Sequence, residues 1–122
     1  MKGHMIVLED DTDMLEVMSL IFQEEGYQVC KLNHLIEDFS EVERVAPDIM
    51  IIDLFMGDKH SSWQFIQNLK VHPTSSRIPI IICTAGKLTP EQLHQSQNQG
   101  IPVVYKPFDL IEVLHLVQSL TE

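Results

Sequence analysis

The feature that most constrains the fold of this chain is its alternation of short apolar runs with longer amphipathic stretches. Five runs have the length of a strand, and each is followed by apolar residues at helical spacing. The run at 79–84 is almost entirely apolar, which is typical of a strand covered on both faces of a parallel sheet. The predicted strands are 4–9, 28–32, 48–53, 79–84 and 103–105, and the predicted helices are 13–25, 35–45, 62–70, 89–99 and 109–120.

This order of elements predicts an α/β domain in three layers. Five strands that alternate with five helices form a parallel sheet with right-handed crossovers and helices on both faces. Capping residues support the helix boundaries. Asp13 followed by Glu16 resembles a capping box, Gly26 follows the first helix, and Thr89 with a proline after it predicts the start of the fourth.

The composition limits the classes of protein to which the chain can belong. A hydrophobic content of 44% with 21% charged residues is ordinary for a soluble globular protein. The 8 basic and 18 acidic side chains give a net charge of -10, which argues against direct binding of nucleic acid. The same charge suits a basic partner or a bound cation.

Neither the apolar runs nor the cysteines indicate a membrane or secreted protein. No stretch approaches the roughly 20 apolar residues of a membrane span, and no signal peptide opens the chain. Cys30 and Cys83 lie in strand-like runs, where a free cysteine acts as a small hydrophobic residue. We therefore expect a reduced, cytoplasmic protein.

Polar residues stand at the ends of four predicted strands. Glu9 and Asp10 follow the first strand, Asp53 ends the third, Thr84 ends the fourth, and Lys106 follows the fifth. In open α/β sheets, ligands bind beyond the carboxyl ends of the strands, where the strand order reverses. These side chains are therefore predicted to form one site.

The residue types favour a cation and phosphoryl chemistry. Carboxylates at close range raise one another's pKa, and a hard cation such as Mg²⁺ removes that conflict. Asp53 is placed to be a metal ligand or a nucleophile, and its attack on phosphorus gives an aspartyl phosphate. Lys106 would stabilise charge on the phosphoryl oxygens, and the Thr84 hydroxyl would donate to one of them as a switch.

Each position also has an ordinary structural explanation. Asp11 and Asp13 are typical of a helix N-terminus, with Asp13 as the expected cap and Asp11 without a defined role. Taken alone, Asp53 is as well explained as a turn residue, and Thr84 as a strand residue. The agreement of four separate strand ends favours a site.

Four segments together resemble the response-regulator receiver domain of two-component signalling, of the kind found in chemotaxis regulators. The resemblance covers residues 4–120. Its segments are 6–11 (IVLEDD), 47–54 (PDIMIIDL), 78–85 (IPIIICTA) and 105–108 (YKPF). It implies a flavodoxin-like sheet of order 2-1-3-4-5, and it makes residues 1–122 a single receiver domain without an output domain.

The resemblance also implies roles for individual residues. Asp53 would accept a phosphoryl group from a histidine kinase or histidine phosphotransfer protein, so the domain would be a switch rather than an enzyme. Lys106, in a typically cis peptide bond with Pro107, would contact the phosphoryl group, and Thr84 would be the switch hydroxyl. The implied ligands of Mg²⁺ are Glu9, Asp10, Asp53 and the backbone carbonyl of Phe55.

Two departures from the family pattern concern the loop after the third strand and the fifth strand. The loop carries Gly57 and a pair of serines at 61–62 in place of the usual proline and Asp-Gly. Val103 stands where the family has its switch aromatic, three residues before Lys106. Tyr105 is expected to project to a different face of the sheet.

Other functions remain open. A degenerate receiver could act as a protein scaffold without phosphorylation. An aspartate-nucleophile phosphatase is disfavoured because no second aspartate lies two residues after Asp53. A flavin-binding module is rejected because acidic residues after the first strand would repel a phosphate. The last helix is apolar beyond a single stripe, so a homodimer through that helix and the fifth strand is a further possibility.

Overall fold

The computed structural model describes residues 3–54, 56 and 59–121, with residues 59 and 60 described by their backbone only. The strands are β1 (Gly3–Leu8), β2 (Tyr27–Leu32), β3 (Ile49–Asp53), β4 (Ile80–Thr84) and β5 (Val103–Tyr105). The helices are α1 (Thr12–Glu24), α2 (Ser40–Val45), α3 (Lys59–Val71), α4 (Pro90–Asn98) and α5 (Leu110–Thr121). Every predicted strand and helix is present; β5 has the predicted bounds, and those of the other elements are shifted.

The five strands form one parallel sheet in the order β2-β1-β3-β4-β5. The predicted α/β class and the flavodoxin-like order are therefore confirmed. The strand order reverses between β1 and β3. From β1 the sheet continues to β2 on one side, and from β3 it continues to β4 and β5 on the other. The carboxyl ends of β1 and β3 consequently define the crevice in which such sheets bind ligands.

Alternate strand residues face two separate apolar cores, as the period of two in a strand requires. Helix α3 and the buried residue of α2 pack on one face, while α1 and α5 pack on the other. The strand residues of the α3 face include Ile6, Ile52 and Ile82, and those of the α1 face include Val7, Ile51 and Ile81. Both faces of the sheet are covered, which is why β3 and β4 are apolar without alternation.

The predicted helix at 35–45 is wrong in its first half, because α2 begins only at Ser40. Ile36 is buried in the core of the α3 face as part of the preceding loop, and this packing overrides helical spacing. The Asp38 carboxylate accepts a hydrogen bond from the Ser40 N–H at 2.9 Å, which marks the helix start. Ala46 in the left-handed region (φ 48°) ends it. Helix α3 begins three residues earlier than predicted.

The cap of α1 also differs from the prediction. Asp11 is the N-cap residue, and its carboxylate accepts hydrogen bonds from the N–H groups of Asp13 (3.0 Å) and Met14 (3.2 Å). Asp13 lies in the first turn as an acidic residue near the positive end of the helix dipole. The expectation of Asp13 as the cap is thus wrong, and Asp11 gains the role that the sequence left open.

Both cysteines are free, with Cys30 half-buried and Cys83 buried. Burial raises the pKa of the Cys83 thiol to about 12, so it stays protonated and acts as the small hydrophobic residue that was predicted. Among the helices of the described residues, none has the length and apolar character needed to cross a bilayer.

Candidate functional site

Three of the predicted residues meet at the carboxyl ends of β1, β3 and β5. The Lys106 ammonium lies 2.7 Å from Glu9 Oε1 and 3.5 Å from Asp53 Oδ2. Glu9 is 2% exposed and Asp53 is 5% exposed. The site is therefore a buried pair of carboxylates that share one cation, at the crevice where the strand order reverses.

Backbone hydrogen bonds fix the positions of these side chains. The N–H of Glu9 donates to the Leu32 carbonyl at 3.0 Å, which extends the pairing of β1 with β2 beyond the end of the strand. The N–H of Lys106 donates to the Thr84 carbonyl at 2.8 Å and extends β5 along β4 in the same way. Glu9 Oε2 also accepts from the Asp11 N–H at 3.3 Å. The sheet itself thus holds the charged groups together.

The shared charges shift the pKa values of both partners of the short ion pair. Burial, followed by the hydrogen bond and charge of Asp53, raises the pKa of Glu9 to about 7, although Lys106 acts in the opposite direction. Burial alone would lower the pKa of Lys106, but the bonds and charges of Glu9 and Asp53 raise it overall. Two buried carboxylates thus face one ammonium, and burial is the main cause of the Glu9 shift, to which Asp53 adds.

This excess of negative charge is the observation that fits a metal ion. Carboxylate oxygens are the ligands that Mg²⁺ prefers, and it commonly takes only one or two of them directly and keeps several waters. A divalent cation beside Glu9 and Asp53 would offset the burial and the repulsion that together raise the pKa of Glu9. The donor set of the site thus suits Mg²⁺.

Not every predicted ligand joins this pair. Asp10 is exposed to solvent beside the buried Glu9. Within residues 3–54, 56 and 59–121, no three side chains of His, Cys, Asp or Glu form a group that could hold a metal. The structure brings together Glu9 and Asp53 and does not bring Asp10 into the same group. Phe55, whose carbonyl was predicted as a ligand, lies outside the described residues.

Thr84 is fully buried at the end of β4 and makes both of its hydrogen bonds to one residue. Its hydroxyl donates to the Gly86 carbonyl and accepts from the Gly86 N–H, each at 3.1 Å. The hydroxyl thus closes the turn that leads toward α4. Sequence reasoning missed Gly86, although a threonine two residues before a glycine is a recognisable signal for such a turn.

The loop after β3 is tied to α3 by a residue that the sequence marked only as unusual. Ser62 is fully buried, and its hydroxyl donates to the Met56 carbonyl at 2.9 Å. The bond joins the first turn of α3 to a residue three positions beyond Asp53. The sequence departs from the family pattern at the serines 61–62, and one of these two serines therefore has a structural role.

The position of Tyr105 corrects an expectation. Thr84 and Tyr105 are register partners in the parallel pair of β4 and β5. Val103 packs on the core of the α3 face and Val104 on that of the α1 face, so alternation places Tyr105 on the side of Val103. The expectation that Tyr105 projects to a different face is wrong, and it lies there with 46% of its surface exposed.

Similar solved structures have the same fold. Chemotaxis protein CheY4 of Vibrio cholerae matches with a TM-score of 0.80 at 19% identity, covering 97% of this chain and 98% of that one. A signal receiver domain of a two-component histidine kinase from Clostridium thermocellum matches with a TM-score of 0.82 at 16% identity, covering 100% of this chain and 99% of that one. At these identities the likeness concerns the fold alone.

Curated relatives are longer than this chain. Transcriptional regulatory protein GlrR of Escherichia coli is 28% identical over 107 residues, which are 88% of this chain and 23% of that protein. DNA-binding response regulator MtrA of Mycobacterium tuberculosis is 21% identical over 119 residues, which are 98% of this chain and 50% of that protein. The chain thus spans about a quarter to a half of the curated relatives that it matches.

A family model matches nearly the whole chain and identifies the family. The family model of the response regulator receiver domain matches residues 5–118. That range includes both apolar cores and the site formed by Glu9, Asp53 and Lys106. The chain belongs to the response regulator receiver domains of two-component signal transduction.

Proposed function

We propose that the chain is a phosphoacceptor switch in which Asp53 takes a phosphoryl group from a histidine kinase or histidine phosphotransfer protein. The observation that carries the proposal is the buried pair Glu9 and Asp53 beside the half-buried Lys106, with Asp53 Oδ2 3.5 Å from the lysine ammonium. A carboxylate beside a cation at the crevice of the sheet is arranged for nucleophilic attack on phosphorus.

The transfer exchanges one bond to phosphorus for another. A carboxylate oxygen of Asp53 forms a P–O bond while the P–N bond of the phosphohistidine breaks, and the released imidazole nitrogen takes up a proton. The Lys106 ammonium, already 3.5 Å from Asp53 Oδ2, stabilises the negative charge on the phosphoryl oxygens. Hydrolysis of the acyl phosphate returns Asp53 to its carboxylate and ends the signal.

The metal proposed for this reaction is Mg²⁺, which when bound neutralises charge on the phosphoryl oxygens. Glu9, Asp10 and Asp53 are the side chains proposed to hold it directly or through water, together with the carbonyl of Phe55. Two buried carboxylates beside one ammonium support this assignment, because a further positive charge would stabilise their ionised forms.

Thr84 is proposed as the residue that senses the phosphoryl group. Its hydroxyl makes both of its hydrogen bonds with Gly86, at 3.1 Å each, in the turn that leads to α4. If the hydroxyl donates to a phosphoryl oxygen instead, its hydrogen bond to the Gly86 carbonyl is lost from the turn. The signal would then reach the β4–α4 connection first.

The partner surfaces proposed are two exposed apolar regions. On α1, which begins beside the site, Val17 is 46% exposed and Leu20 is 55% exposed, and these side chains offer a surface to the phosphodonor protein. The homodimer face proposed for α5 and β5 exposes Ile111 at 53% and Tyr105 at 46%. Light scattering with and without beryllofluoride tests the dimer, and a monomer mass under both conditions at all concentrations would contradict it.

The phosphoacceptor itself is tested by intact mass after incubation with Mg²⁺ and acetyl phosphate. We expect one phosphoryl adduct, lost when Mg²⁺ is chelated and absent in Asp53→Asn. The matched control is Asp13→Asn, which changes an exposed aspartate in the first turn of α1 and should keep the adduct. A parent protein that gains no adduct would contradict the proposal and favour a scaffold.

A further inference from the structure

Helix α4 differs from the other long helices in the way it is attached. Among its residues only Ser96 is buried, and none of its side chains belongs to either apolar core. Its only central apolar side chain, Leu93, is 37% exposed. By contrast, α1 and α5 each bury several residues against the sheet. Apolar burial therefore does little to hold the body of α4 in place.

Side-chain amides join α4 to α3 instead. Gln67 of α3 accepts hydrogen bonds through Oε1 from Gln95 Nε2 at 2.9 Å and from Gln99 Nε2 at 2.8 Å. Its own Nε2 donates to Gln99 Oε1 at 3.2 Å. One residue of α3 thus makes three hydrogen bonds to two residues one turn apart, in the last turn of α4 and at its C-cap.

The remaining polar contacts of α4 are within the helix or just beyond it. Thr89 and Gln92 form a capping box, and the Ser96 hydroxyl donates to the Gln92 carbonyl at 2.8 Å. The Ile101 N–H donates to the Ser96 carbonyl at 2.9 Å. These bonds stabilise the helix and its exit, but they do not join its surface to α3.

We propose that Gln67, Gln95 and Gln99 form an amide latch that holds α4 on α3, and that opening of the latch frees α4 while the rest of the domain stays folded. A side-chain hydrogen bond between partly exposed groups stabilises only modestly, because water competes for the same groups. A helix held mainly by such bonds opens at lower free energy than helices held by buried apolar surface.

The latch also provides a place where the signal could act, a step that rests on the proposed function. The chain enters α4 from the Thr84–Gly86 pair and leaves it at the latch. Polar contacts thus restrain both ends of the helix, next to the flanking apolar side chains of Leu88 and Ile101 in the core of the α3 face. Loss of the Thr84–Gly86 contact would leave the latch as the remaining polar restraint.

Hydrogen exchange of the backbone amides of α4 tests the latch in the full chain without any phosphodonor. In Gln67→Ala we expect exchange in α4 to become about tenfold faster, while exchange in α1 and α5 stays the same. Alanine is a better helix former than glutamine, so α3 itself is not weakened. Gln67→Glu keeps an acceptor for both donors and should restore most of the protection.

The matched control is Gln64→Ala, one turn earlier on the same helix. Among the described residues its amide bonds only to Asn68 within α3, at 3.1 Å, so α4 should exchange at the parent rate. Unchanged exchange of α4 in Gln67→Ala, or an equal increase in every helix, would overturn the latch. A midpoint of thermal unfolding close to that of the parent in every variant is part of the expected result.

A second arm separates the latch from the signal. Mg²⁺ with beryllofluoride is expected to speed α4 exchange modestly in the parent, where the latch remains, and more strongly in Gln67→Ala, where neither restraint remains. If the first arm succeeds and the parent shows the phosphoryl adduct but no change in α4, the latch stands and its coupling to the site is overturned. If the adduct is absent, the proposed function fails while the latch is judged on the first arm alone.

Discussion

Along β3, the side chains from Ile49 to Ile52 are apolar and at most 1% exposed, while the next residue, Asp53, is charged and only 5% exposed. In β4 the same change occurs between Cys83 and Thr84. Burial continues to the carboxyl edge of the sheet, but the chemistry of the buried groups changes there. Interior positions gain free energy from apolar burial, whereas buried carboxylates must be compensated for lost hydration.

The difference between the interior and the carboxyl edge indicates a division of roles. The two apolar cores supply stability to the domain. The edge keeps two carboxylates around one ammonium, an arrangement that costs stability unless another positive charge is added. Such a site is better explained by chemistry than by folding.

The largest loss of stability is expected from a substitution in the interior of the domain. Ile82→Ala removes a fully buried side chain from the core of the α3 face and should lower the free energy of unfolding by about 2–5 kcal/mol. Urea denaturation measures this. Ile111→Ala, at a side chain that is 53% exposed, is the control and should change it by less than about 1 kcal/mol. Equal losses of unfolding free energy in the two variants would contradict the role assigned to the apolar interior.

The next largest loss of stability is expected when the Lys106 ammonium is removed from the carboxyl edge. Lys106→Met leaves Glu9 and Asp53 buried without their shared ammonium, and we expect a loss of about 1–3 kcal/mol at pH 8. The control is Lys31→Met, which removes an ion pair of similar length, 2.6 Å, whose partners are 39% and 60% exposed. Exposed pairs contribute about 0–1 kcal/mol. If both variants lose the same free energy, burial of the edge charges has no energetic weight.

The pH dependence of stability sharpens the same point. The pKa of Glu9 rises from 4.5 to about 7 on folding, so between these values the folded state binds more protons than the unfolded state. Stability should therefore fall as pH rises from about 4.5 to about 7, by up to about 1.4 kcal/mol per pH unit from this group. Denaturation of the parent and of Glu9→Gln across that range isolates the contribution. Identical profiles would contradict it.

The smallest effect is expected at the rim of the site, where Asp11 caps α1. Asp11→Ala removes the acceptor for two helix N–H groups and should cost about 1 kcal/mol. Asp13→Ala removes only a first-turn charge and should cost about 0.5 kcal/mol. Thermal unfolding of the two variants compares them directly, and a larger loss in Asp13→Ala would restore the cap that the sequence suggested.

The sequence predicted the order of elements and the meeting of Glu9, Asp53 and Lys106 because both depend on local patterns. The continuous apolar run of β4 indicated a strand covered on both faces, and charged or polar residues at four strand ends indicated the crevice. The strand order came from the family resemblance and agrees with the observed sheet.

The sequence could not predict features that depend on packing between distant segments. Burial of Ile36 shortens α2, and the choice between Asp11 and Asp13 as the cap depends on where the chain leaves β1. The contact of Gln67 with Gln95 joins residues 28 positions apart, and no local pattern marks it. The exposure of Asp10 beside the buried Glu9 is likewise set by the path of the chain.

The central claim is that the carboxyl edge makes Asp53 a phosphoacceptor, and the most direct test is to locate the acyl phosphate. After incubation with Mg²⁺ and acetyl phosphate, borohydride reduces an aspartyl phosphate to homoserine, which peptide mass mapping can place in the chain. The account predicts homoserine at position 53, and none there when Mg²⁺ is chelated. Homoserine at any other aspartate, with position 53 unchanged, would contradict it.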